Sequence, residues 1–133
     1  MSKKEEYKQL NLQFLEDYKK KDDVWILPEG VMYRVLSSGN GGVRPSSTNV
    51  VSIYYKGTLI NGKVFDSNMS QPCPEPFRLN DLIKGWQIVL PHMCVGDRWE
   101  VVIPASLGYG SKGTDGIPRN STLIFEIDLV NVF

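Results

Sequence analysis

Apolar positions along the chain change their period once, near Asp22–Asp23. Before that point, "SKKEEYKQLNLQFLEDYKK" reads as a helix. Tyr7, Leu10, Phe14 and Tyr18 recur at helical spacing, and Leu12 and Leu15 widen the stripe. Ser2 and Glu5 make a capping box at its start. Glu16 with Lys20 and Asp17 with Lys21 are favourably ordered i, i+4 pairs. The apolar stripe must be covered, either by the helix's own domain or by a second copy of the chain.

After the boundary the period shortens to two, the signature of strands. "VMYRVLSSGNGG" alternates and stops at glycines, and "VVSIYYKGTL" follows as a second strand. "INGKVF" closes a hairpin on it, for which Asn-Gly predicts a type I′ turn. "RWEVVIP" and "STLIFEIDLVNVF" add two more strands. In the last, Leu123, Phe125, Ile127 and Leu129 share one face, and Glu126 and Asp128 the other. Such alternation describes an antiparallel sheet with one covered and one wet face. One further segment, "NDLIKGWQIVL", reads as helix from a cap at Asn80 to a stop at Pro91. The fold class is therefore α+β: a strongly twisted antiparallel sheet wrapped around one short helix. Residues 1–22 form an N-terminal helical extension and residues 23–133 the main domain.

Composition adds exclusions. At 133 residues the chain is one domain with room for a real core. Lys+Arg and Asp+Glu are both 15, so no global basic field draws it to nucleic acid or to a membrane surface. No apolar run reaches the length of a membrane span. "MSKKEEYKQL" lacks the apolar core of a secretory signal, which predicts a cytoplasmic protein, or a periplasmic or exported one if a leader has been trimmed. Cys73 and Cys94 have neither metal spacing nor disulfide density and read as two thiols.

Most enzyme chemistries find no support in the residues. His92 is the single histidine, so metal and triad arrangements lack partners. The glycines of "GYGSKGTDG" follow Pro104 without the P-loop lysine spacing and read as turn glycines. What stands out is "NGKVFDS", a short run that ends on Phe65 and then Asp66. Strands avoid aspartate, and a carboxylate beside an aromatic must reach water or find a donor. Several of these residues have plainer readings. Phe125, Ile83 and Trp86 suit a core, Tyr55 a sheet edge, Asp66 a turn, and Trp25 and Trp99 packing.

From Tyr33 onward the chain resembles the FKBP-type peptidyl-prolyl cis–trans isomerases. The matching segments are "YYKGTLINGKVFDS", "LIKGWQIVL", "MCVGDRWEVVIPASLGYG" and "IPRNSTLIFEIDLV", in family order. "FRLNDLIKGW" and "LPEGVMYRVL" after a charged helix are most similar to the bacterial macrophage-infectivity-potentiator group. The resemblance implies isomerisation of X–Pro bonds in unfolded or partly folded polypeptides, with no metal or cofactor. The alternative is a proline-binding chaperone or adaptor with little turnover. The resemblance implies that Tyr55, Phe65, Asp66 and Tyr109 carry catalysis. It places Phe77, Leu82, Ile83, Trp86, Ile117 and Phe125 in substrate binding. Trp86 would form the floor, Ile83 would offer its backbone N–H, and Tyr109 its hydroxyl. Further implied partners are macrolides of the FK506 and rapamycin type, and a second copy of the chain through the N-terminal helix. A regular strand sends Phe65 and Asp66 to opposite faces. For both to border one cavity, the strand must end or bulge between them.

Overall fold

The computed structural model describes residues 2–133. Seven strands form one sheet: β1 (Trp25–Ile26), β2 (Met32–Ser37), β3 (Val50–Thr58), β4 (Val64–Ser67), β5 (Glu75–Arg78), β6 (Arg98–Ile103) and β7 (Leu123–Val132). The order is β1-β2-β6-β7-β3-β4, every pairing is antiparallel, and β5 shares with β4 the outer edge of β3. Helix α1 (Lys3–Tyr18) precedes the sheet, and α2 (Lys84–Val89) lies between β5 and β6.

Alternation sorts the sheet into two faces. One face carries Val51, Ile53, Val101, Ile103, Leu123, Ile127 and Leu129, which pack with Trp86, Val89 and Leu90 of the α2 segment as the main core. The approach of α2 depends on Gly85, because a β-carbon there would meet the Ile103 side chain at 2.5 Å. The inward set Leu123, Phe125, Ile127 and Leu129 is as the sequence predicts. On the opposite side Arg98 donates to Glu126 at 2.8 Å.

That second face is not simply wet. Tyr18, Phe14 and Leu15 of α1 pack there against Met32, Val102 and Ile124. Asn11, buried in the contact, accepts the Thr122 N–H at 2.7 Å on its side-chain oxygen and donates to Tyr7 O at 2.8 Å. The Tyr7 hydroxyl meets Ser121 Oγ at 2.7 Å, and the Tyr18 hydroxyl donates to Glu100 at 2.7 Å. Of the two coverings open to α1, the structure therefore gives the helix to its own sheet.

Some local expectations are corrected. Leu10 is 60% exposed, because the contact face runs through positions 7, 11, 14, 15 and 18 and includes a polar residue, Asn11. The helix surface carries a Glu16–Lys19 pair and a Gln13–Asp17 hydrogen bond in place of the expected i, i+4 salt bridges. The Ser2 cap is present, with its hydroxyl accepting the Glu5 N–H. The hairpin turn is not type I′, which needs positive φ at both central residues. Only Gly62 is positive (φ 88), and Gly62 N–H donates to Leu59 O while Leu59 N–H donates to Lys63 O. This is a one-residue-longer loop ending in a left-handed glycine. Asn80 caps nothing; it sits in a 3-10 turn (Leu79–Asp81), and α2 starts after Ile83. Trp25 lies 63% exposed on the edge strand β1, whereas Trp99 is buried and stacks on Tyr33 at 4.0 Å.

The Asn11 contact yields a prediction. Asn11→Ala removes the buried acceptor of the Thr122 N–H and should cost about 1–3 kcal/mol of stability, read as a lower midpoint in urea unfolding. An unchanged midpoint would mean that α1 only rests on the sheet.

Candidate active site

The site is built on one irregularity. Strand β4 pairs with β3 through Lys56↔Ser67, Gly57↔Asp66 and then Thr58↔Val64, so Phe65 has no partner on β3. This is a bulge, and it breaks the alternation that would part Phe65 from Asp66. Both side chains line one cavity of about 190 Å³, together with Tyr55, Phe77, Asp81, Leu82, Ile83, Trp86, Tyr109 and Phe125.

The aromatic rings meet edge to face, the arrangement favoured by their quadrupoles. Trp86 stands in the middle, 4.9 Å from the Phe125 centroid, 5.3 Å from Tyr55 and 6.4 Å from Phe77. Phe65 closes on Phe125 at 5.5 Å. Gly57 makes that closure possible. A β-carbon at residue 57 would lie 2.5 Å from the Phe65 ring and 2.8 Å from Phe125, so any side chain would push these rings apart.

Polar groups sit at the rim. Tyr55 donates its phenol to Asp66 Oδ2 at 2.7 Å. Burial, and after it the hydrogen bond and charge of Asp66, push the Tyr55 phenol well above its ordinary range, so it remains a donor at neutral pH. The Tyr55 backbone is held in turn by Asn68, which is buried just past the end of β4. Its side-chain oxygen accepts Tyr55 N–H at 2.7 Å, and its amide donates to Ile53 O at 3.0 Å. Asn68 thus takes over the pairing where β4 stops. Ile83 is the extended residue before α2, and its carbonyl accepts from Trp86 and Gln87. Its own N–H meets no acceptor among the described residues. Tyr109, 39% exposed, follows the 3-10 turn Ala105–Leu107, and its hydroxyl likewise has no partner among the described residues.

The structure brings together nine of the ten residues expected here, the nine being Tyr55, Phe65, Asp66, Phe77, Leu82, Ile83, Trp86, Tyr109 and Phe125. Ile117 is not among the lining residues. It is buried in the core and pinned by a bridge with Thr114, while its accessible edge faces a separate groove beside Tyr7 and Leu59. Asp81 is the lining residue that sequence reasoning missed, because the segment was read as continuous helix. Gly57 and Asn68 were missed as supports. The glycine inside a strand pattern was the available signal for Gly57, and Asn68 gave none.

A family model described as FKBP-type peptidyl-prolyl cis-trans isomerase matches residues 41–130. The chain belongs to the FKBP-type peptidyl-prolyl cis-trans isomerase family. It is similar to the outer membrane protein MIP of Legionella longbeachae, 40% identical over 98% of this chain and 56% of that one. It is also similar to the FKBP-type 22 kDa peptidyl-prolyl cis-trans isomerase of Escherichia coli, 39% identical over 91% of this chain and 59% of that protein. The chain therefore spans little more than half the length of these curated relatives. A solved structure, a peptidyl-prolyl cis-trans isomerase from Pseudomonas syringae pv. tomato, superposes with a TM-score of 0.90 at 32% identity, covering 99% of this chain and 97% of that one. FkpA from Escherichia coli gives 0.89 at 36% identity, covering 96% of this chain and 59% of that one. The seven-stranded antiparallel sheet with its short helix is thus the FKBP fold, preceded here by α1.

The Tyr55–Asp66 bond has a consequence for stability. Tyr55 and Tyr18 are both raised in the folded chain, each chiefly by burial. Their stabilising contribution is complete below the unfolded tyrosine value, about 10, and is lost as pH rises beyond it, because the unfolded chain then ionises first. Urea midpoints should fall between about pH 9 and 11, and fall less in Tyr55→Phe. Equal slopes for wild type and variant would contradict the buried, bonded phenol.

Proposed function

We propose that this chain accelerates cis–trans isomerisation of X–Pro bonds in unfolded or partly folded polypeptides. The observation that carries the reading is the bulge at Phe65, which sets an aromatic wall and a carboxylate on the same small cavity. Family membership supports the reaction class. Residues 23–133 are the isomerase domain in this reading, and 1–22 the extension that docks on it.

The chemistry follows from what the barrier is. Rotating an X–Pro amide costs about 18–20 kcal/mol because the twist forfeits C–N resonance. The twisted amide is less dipolar than the planar one, so an apolar enclosure that removes water disfavours the ground state relative to it. Trp86 forms the floor under the prolyl ring, with Tyr55, Phe65, Phe77 and Phe125 as walls and Leu82 beside them. The unpaired Ile83 N–H and Tyr109 hydroxyl face the peptide as donors to its carbonyls. Asp66, anchored by Tyr55, places a fixed negative field at the edge. Each tenfold of acceleration needs only about 1.4 kcal/mol of preferential stabilisation, so oriented contacts suffice without a nucleophile or base.

The same cavity would take macrolides of the FK506 and rapamycin type, as the family resemblance implies. Because α1 packs its apolar face on its own sheet, we assign it to stabilising the domain and not to pairing two chains through that face. No helix among the described residues is long and apolar enough to cross a membrane. One similar protein is named an outer membrane protein, which favours a place in the cell envelope over the cytoplasm.

Turnover of a proline peptide in a protease-coupled assay tests the reading. Phe65→Ala opens the cavity to water and should lower kcat/KM about tenfold to a hundredfold, with the fold retained by circular dichroism. A chain that shows no turnover yet suppresses aggregation of a proline-free client would be a chaperone or adaptor instead.

A further inference from the structure

A second cavity, of about 430 Å³, adjoins the first beneath the loop between β4 and β5. Tyr55 and Asp66 line both cavities and so form their shared wall. A polypeptide whose proline sits over Trp86 can therefore reach the second cavity across Tyr55 and Asp66. Pro72, Pro74 and Pro76 supply rigid apolar surface to this second cavity, and Glu75 and Asp66 supply its charge. The stretch from Asp66 to Phe77 contains neither Lys nor Arg. Among the described residues, no ion pair engages Asp66, Glu75 or the neighbouring Asp81. Asp66 already accepts from Tyr55, whereas the exposed Glu75 carboxylate receives no hydrogen bond among the described residues.

We propose that the second cavity receives the side chain of a substrate residue next to the proline, and that Glu75 together with Asp66 favours lysine or arginine over glutamate there. The inference rests on the isomerase reading and names the substrate class for it. A lysine or arginine can lay its aliphatic stem along the prolines and Tyr55 while its charged head stays in partly aqueous surroundings beside the carboxylates. A glutamate at the same position is repelled by both acids. Since the acids are solvent-exposed, the discrimination is moderate and is screened by salt.

Two peptide series test this, one varying the residue before proline and one the residue after it, with Lys, Leu or Glu at the varied position. Isomerisation is followed by magnetisation exchange, which needs no protease that would itself discriminate among them, and dissociation constants come from chemical-shift titration of the same peptides. In one series, kcat/KM for the Lys peptide should exceed that for the Glu peptide by about threefold to tenfold at low salt. The ratio should shrink towards one at about 0.5 M salt, shrink in Glu75→Gln, and invert in Glu75→Lys. A ratio near one in both series at low salt, or a ratio unchanged in both Glu75 variants, overturns the proposal. Failure of the isomerase reading is separate: no peptide would then show accelerated exchange, and the Lys-to-Glu ratio of dissociation constants decides the subsite by the same criteria.

Discussion

The unpaired residue on β4 governs the geometry of the site. Val64 pairs with Thr58 and Asp66 with Gly57, so the strand accommodates Phe65 by turning it towards the cavity that Asp66 also borders. Without that extra residue the pleat would place one of the two on the far side of the sheet. The other features of the pocket adapt to this. Gly57 leaves open the space that the Phe65 and Phe125 rings fill, and Gly85 lets α2 settle against Ile103 so that Trp86 reaches the middle of the ring cluster. Asn68 replaces the β4 backbone as partner of β3 once β4 stops, which fixes Tyr55 and, through its phenol, Asp66.

An aromatic cluster of this kind would ordinarily collapse into core. Here it remains a cavity because its floor is braced from behind. Trp86, Val89 and Leu90 share one apolar layer with β3, β6 and β7, while α1 packs on the opposite face over Met32, Val102 and Ile124. The sheet is thus supported on both sides. The rim stays open, and the Ile83 N–H and the Tyr109 hydroxyl are donors there without partners among the described residues, as the proposed peptide site requires.

How much of this was legible follows the range of the interactions. Alternation identified the long strands, and the inward face of β7 was read residue by residue. The need for a break at Phe65–Asp66 followed from the pleat once the family resemblance put both residues on one cavity, although its form, an unpaired Phe65 opposite the Gly57–Thr58 step, did not. Local turn chemistry was less secure. Asn-Gly favours a type I′ turn, but the loop closed one residue longer and needed positive φ only at Gly62. Helical propensity near Asn80 lost to a 3-10 turn that leaves Ile83 extended. Asn68 and Asn11 were invisible as supports because a buried asparagine has no periodic signature, and apart from Tyr7 their partners lie 13 to 111 residues away. Ile117 carries a pocket role in the family resemblance, yet it packs in the core and is not among the residues lining the cavity.

An enclosure that works by desolvation and oriented dipoles moves no proton in its slow step. Acid–base catalysis of the same rotation would move one, and the two differ most directly in their response to solvent deuterium. The decisive measurement is kcat/KM for a proline peptide in H2O and in D2O at matched pD. Enclosure predicts a ratio close to one. A ratio of about two or more, together with a bell-shaped pH profile between about pH 6 and 8, would show a proton in flight and contradict it.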